Sequence, residues 1–125
     1  MGRRRDAFDT EVVVPDIAGW RQERMPEIPE DHRFEIVPDW ICEILSPATA
    51  TKDRIHKMPL YARYGVAYAW LVDPLARTVE AFARNSAGQW LLIGAFQDDD
   101  LISTAPFEAT ILALADLWAP TRLRP

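Results

Sequence analysis

The residues that could do chemistry in this chain are a few acids and one lysine. Glu43 interrupts the apolar stretch 40–45, where side chains should alternate between two faces. Ile41, Glu43 and Leu45 then share one face, and Trp40, Cys42 and Ile44 share the other. A carboxylate on a strand that is apolar on both faces is costly unless it is paired, hydrogen-bonded or bound to a cation. Asp16 follows the apolar run 10–14 and Pro15. If the two strands pair, Asp16 and Glu43 converge on one point. Two carboxylates with a backbone carbonyl and waters form the oxygen set that Mg²⁺, or Mn²⁺ in its place, accepts. A cation held there lowers the pKa of a bound water and stabilises charge on a phosphate.

Asp53 and Lys57 stand four residues apart in a helix-forming segment, with Tyr61 one turn further on. A lysine near the cation would position a water and neutralise phosphate charge. Plainer readings stand beside these. Asp53 and Lys57 also fit a solvent-exposed ion pair. Asp16 and Asp39 both follow a proline, and Pro-Asp is common turn punctuation. Glu43 has a plain reading only on an edge strand with a wet face.

The elements that must hold these residues follow from pattern and punctuation. The β-branched run 10–14 is expected to be a strand ending at Pro15. Residues 21–32, with two prolines and many charges, read as an exposed loop, and 33–37 as a short extended segment. A second strand covers 40–45 and stops at Ser46-Pro47. The segment 49–64 is the main helix, with apolar contacts from Ile55, Met58, Leu60, Ala62 and Tyr64 and a C-terminal stop at Gly65. Pro59 within it removes one backbone hydrogen bond and is expected to kink it. Strands follow at 67–72, 77–83 and 89–96, the last two joined by a hairpin loop at 85–88. An acidic turn at 98–100 and a short closing helix at 111–118 complete the pattern. The order implies an α/β or α+β domain, a mixed sheet with one main helix. The domain is expected over 10–119, between a basic tail at 1–9 and a C-terminal tail at 120–125.

Composition narrows the function. At 125 residues the chain fits a single core. Fourteen basic against nineteen acidic residues give a net charge of −5, so charge does not signal DNA as a partner and a divalent cation would have to bridge it. No apolar stretch is long enough to span a membrane. The single cysteine, Cys42, cannot form an internal disulfide and suggests a reducing, cytoplasmic setting. His32 and His56 lack zinc-pair spacing, Ser46 lacks a nucleophile elbow, and a glycine-rich phosphate loop is missing.

The stretches PDWICEILSPAT and KDRIHKMPLYARYGVAYAWLVDPLARTVEAF resemble the Uma-two family of restriction-endonuclease-like proteins, within the PD-(D/E)XK nuclease superfamily. The resemblance runs from about Val12 to Trp118. It rests most on the E-x-L-S-P strand end, the D-x-x-x-K-x-x-x-Y helix and the W-x-V-D-P strand end. It implies that Asp16 and Glu43 are metal-binding acids and that the Ile44 carbonyl completes the ligands. The superfamily's lysine position is Leu45 here, so Lys57 on the helix takes its place. Asp39, Asp53 and Tyr61 would be supporting residues. Family members usually carry a longer N-terminal region with a helix and a further strand. An N-terminally truncated domain is therefore expected, with a bare sheet face or edge that invites a homodimer. The expected activity is that of a Mg²⁺-dependent nuclease-type phosphodiesterase. The alternatives are a catalytically inactive, dimeric interaction module of the same fold and a hydrolase of another phosphorylated molecule.

Overall fold

The computed structural model describes residues 14–25 and 36–121. Expectations placed on 1–13, 26–35 and 122–125, among them the basic tail and His32, lie outside these residues. Five strands form one sheet in the order β1 (Ile17–Gly19), β2 (Trp40–Ile44), β3 (Tyr68–Asp73), β4 (Thr78–Arg84) and β5 (Trp90–Gln97). The pair β2/β3 is parallel, and the other pairs are antiparallel. A parallel pair needs a crossover connection, and the main helix supplies it between β2 and β3.

The period-two pattern of β2 divides the core into two layers. Ile41 and Leu45 pack with Ala69 and Leu71 of β3 and with Met58, Tyr61 and Val66 on the helix side. Cys42 packs on the opposite face with Trp70, Val72, Val79 and Ala81, under Ile102 and Leu114. A small second sheet, β6 (Leu101–Ile102) with β7 (Leu112–Ala113), and a 3₁₀ helix at Leu114–Thr121 contribute to that second layer. The segment 111–118 is thus part strand and part 3₁₀ helix rather than one closing helix. Leu112 and Ala113 pair with β6 before the chain turns, and the Leu114 N–H goes to the Asp100 carbonyl.

The crossover helix has two parts. Lys52–Lys57 is π-helical, and α1 (Met58–Tyr64) is α-helical. Pro59 accounts for the break. It has no N–H to give the carbonyl of Ile55, and in an α-helix its ring would strike that carbonyl. Bonding one residue further back, as the Met58 N–H does to the Asp53 carbonyl, widens the turn and relieves the clash. The proline re-phases the helix. Ile55, expected to face the core, is 64 % exposed, while Met58, Leu60, Tyr61 and Ala62 are buried. Gly65 ends α1 with φ +91°, and the Val66 N–H reaches back to the Tyr61 carbonyl, so the left-handed glycine closes the helix. Two sheet side chains tie the helix down: Arg84 Nε donates to the Ala62 carbonyl and Trp90 Nε1 to that of Met58.

The strand that pairs with β2 lies after Asp16, while residues 10–13 of the strand expected at 10–14 lie outside the described residues. Val14 and Pro15 are outside β1. Pro15 offers no ladder donor, and the partners of β2 are Ile17, Ala18 and Gly19.

Candidate active site

The Ile17–Cys42 register puts Asp16 beside the peptide that joins Glu43 to Ile44. Its Oδ2 accepts the Ile44 N–H at 2.6 Å, so a side chain takes over where the β1 ladder stops. Asp16 itself is exposed. Glu43 projects from β2 towards the helix and is fully buried. Its Oε2 accepts the hydroxyl proton of Tyr61, also fully buried, and lies 2.9 Å from Lys57 Nζ. Its Oε1 is buried with no hydrogen-bond partner.

Lys57 Nζ has two further acceptors. It donates to the Val14 carbonyl at 3.0 Å and lies 3.6 Å from Asp53 Oδ1, a buried carboxylate. The ammonium thus links the helix, β2 and the segment that carries Asp16. The solvent-exposed reading of the Asp53–Lys57 pair does not hold, because Asp53 is 4 % exposed.

Electrostatics follow from this burial. Loss of water pushes the Glu43 carboxyl above the usual carboxylate range and Asp53 adds to it, while hydrogen bonds from Tyr61 and Lys57 and the lysine charge oppose the rise. Burial also lifts the Tyr61 hydroxyl above the usual phenol range, reinforced by its bond to Glu43. Burial, with the charges of Glu43 and Asp16, pushes the Cys42 thiol up to about 12, and Cys42 faces the layer away from Glu43.

Asp16, Glu43, Lys57, Asp53 and Tyr61 therefore gather at one place. Asp39 does not join them. Its carboxylate binds the Arg21 N–H at 2.6 Å and Arg24 Nη1 at 2.5 Å, which fastens the turn after β1 to the start of β2. The sequence places Tyr61 only on the helix face, and its direct bond to Glu43 is seen only in the structure. Its signal was the 53, 57, 61 spacing opposite an acid on a strand.

Among the described residues no group of three or more His, Cys, Asp or Glu side chains could hold a metal ion. A site here would rest on two carboxylates and the Ile44 carbonyl. Such donors are hard oxygens suited to Mg²⁺, and the buried, unpartnered Glu43 Oε1 is what a cation would satisfy. The donor set fits the ion. Among the described residues no helix is long and apolar enough to cross a membrane.

The fold is similar to that of a crystal structure described as a putative nuclease belonging to DUF820 from Anabaena variabilis, with a TM-score of 0.63 and 28 % identity. The likeness covers 86 % of this chain and 60 % of the Anabaena chain, so this chain spans less than two thirds of that protein. No curated protein matches the sequence. Residues 3–115 match Uma2, described as putative restriction endonuclease, and the chain belongs to that family.

Proposed function

We propose that the domain is a Mg²⁺- or Mn²⁺-dependent phosphodiesterase of the PD-(D/E)XK class acting on DNA. The observation that carries this reading is Glu43 Oε1, buried and without a partner, one residue before the Ile44 N–H that the Asp16 carboxylate accepts. Glu43 and Asp16 would hold the cation, with the Ile44 carbonyl as third protein ligand. A cation there supplies Lewis acidity: it lowers the pKa of a water and neutralises charge on the phosphate. The chain's own residues prepare the place. The Ile44 N–H fixes the Asp16 carboxylate, and the core around Tyr61 keeps water from Glu43. Lys57 sets a positive charge where the phosphodiester would arrive. Its longest contact, to Asp53, is the one a phosphate oxygen would replace.

The test is cleavage of plasmid and single-stranded DNA with Mg²⁺ or Mn²⁺. Wild-type cleavage that disappears in Glu43→Gln and in Asp16→Asn supports the reading, and cleavage that persists in both refutes it. A second reading, a catalytically inactive interaction module, is favoured by Lys57. Its ammonium has three acceptors and already balances Glu43 without a metal. On that reading, calorimetry would detect no divalent-cation binding that depends on Asp16 and Glu43.

A further inference from the structure

Glu43 carries two oxygens with opposite surroundings. Each carboxylate oxygen has about two in-plane lone pairs. At Oε2 both have a donor, one the Tyr61 hydroxyl and the other the Lys57 ammonium at 2.9 Å. At Oε1 neither has one. Tyr61 comes from the α-helical part of the crossover, and its ring is locked among Ile41, Leu45, Met58 and Val66, so its hydroxyl cannot follow Glu43 if the carboxylate turns. Two donors on one oxygen fix the rotation of the carboxyl group and leave a single oxygen for a further ligand.

We propose that Tyr61 is a positioning residue that sets cation selectivity by closing Oε2 and leaving Glu43 a one-oxygen ligand. This rests on the metal-dependent reading of the site. Mg²⁺ demands near-octahedral geometry with one oxygen per ligand, whereas Ca²⁺ takes more ligands and readily accepts both oxygens of a carboxylate. A carboxylate with Oε2 occupied therefore suits Mg²⁺ and disfavours Ca²⁺. Loss of the hydroxyl frees one lone pair of Oε2 and lets Glu43 turn. The two-oxygen mode then becomes available.

The experiment is calorimetric titration of the whole chain with MgCl₂ and separately with CaCl₂, for wild type, Tyr61→Phe and Glu43→Gln, with circular dichroism of each variant. Phe keeps the ring in the core. The expected result is Mg²⁺ binding that weakens about 10- to 100-fold in Tyr61→Phe, as is usual when a group behind a metal ligand is lost. Ca²⁺ binding falls less or rises, so the Mg²⁺/Ca²⁺ preference moves towards Ca²⁺. A merely structural role of the tyrosine would weaken both ions alike, and an unchanged ratio overturns the inference while leaving the metal reading intact. Absence of Mg²⁺ binding in wild type, or binding that survives Glu43→Gln, overturns both. Wild type alone gives an independent check should Tyr61→Phe not fold. The metal-minus-apo infrared difference spectrum, assigned by its loss in Glu43→Gln, should show the wide carboxylate splitting of one-oxygen ligation with Mg²⁺. The narrow splitting of two-oxygen ligation would overturn the proposal.

Discussion

Lys57→Met removes the ammonium that three elements share while keeping the length of the side chain. Glu43 then keeps only the Tyr61 hydroxyl, and the Val14 carbonyl loses its donor. Breaking a buried pair from one side costs about 3–5 kcal/mol, because the remaining charge stays buried. Lys57 keeps 16 % of its side chain exposed and its Asp53 contact is long at 3.6 Å, so the low end applies, about 3 kcal/mol. That is a large part of the ~5–15 kcal/mol that holds a domain folded and corresponds to a fall in Tm of about 10 °C.

The loss should depend on pH. Burial already raises the Glu43 carboxyl above its unfolded value. A group raised in this way favours folding while protonated; that contribution is complete below the unfolded value and is lost as pH rises through the folded one. Removing Lys57 raises the folded value further, so the variant suffers most at neutral and higher pH and recovers towards mild acid. Urea unfolding with a chelator present, at pH 7.5 and pH 5, measures both. Glu43→Gln placed on top of Lys57→Met should restore most of the loss. A destabilisation under about 1 kcal/mol at pH 7.5 would refute the reasoning, since exposed pairs give that much. So would a loss that is the same at both pH values or is not relieved by Glu43→Gln.

Three further outcomes are expected. Gly65→Ala should lower stability by about 1 kcal/mol in denaturant unfolding, because φ is +91° and the space around the new Cβ is open, leaving backbone strain as the only cost. Cys42, buried and with its thiol pushed up to about 12, should ignore Ellman's reagent at pH 8 until urea is added. Pro59→Ala restores an N–H and removes the ring clash, so 52–57 should return to α-helical bonding, and Mg²⁺ affinity by calorimetry should fall.

The sequence makes some of this architecture readable and hides the rest for physical reasons. Strands β2 to β5 and their hairpin are apolar or alternating runs between strong breakers, so pattern alone locates them within a residue or so. Glu43 stands out because a lone acid on an apolar strand needs a partner. Strand β1 does not announce itself. Ile17–Gly19 is short and of weak strand propensity, and it forms because β2 offers it an edge, while the more β-prone run 10–14 draws the eye. Two-residue strands such as β7 fall below any periodic signal. Burial of Asp53 is equally hidden, since a four-residue Asp–Lys spacing reads the same on a wet face and on a dry one.

The spacing of Asp53, Lys57 and Tyr61 shows why the proline belongs where it is. In an unbroken α-helix each residue turns about 100°, so four residues overshoot a full circle by about 40° and eight by about 80°. Tyr61 would then sit well round the helix from Asp53. In the π-helical part, bonds reach five residues back and a turn holds more than four residues, so four residues fall short of the circle. From Asp53 to Lys57 the bearing slips one way, and from Lys57 to Tyr61, largely along α1, it slips back. The two errors oppose each other, and the three side chains line up: Asp53 and Tyr61 are buried, and Lys57 reaches both Asp53 and the Glu43 oxygen that Tyr61 holds. Pro59 enforces the wide turn directly before α1. The residue that looks least suited to this helix is the one that brings its lysine and its tyrosine to the same carboxylate.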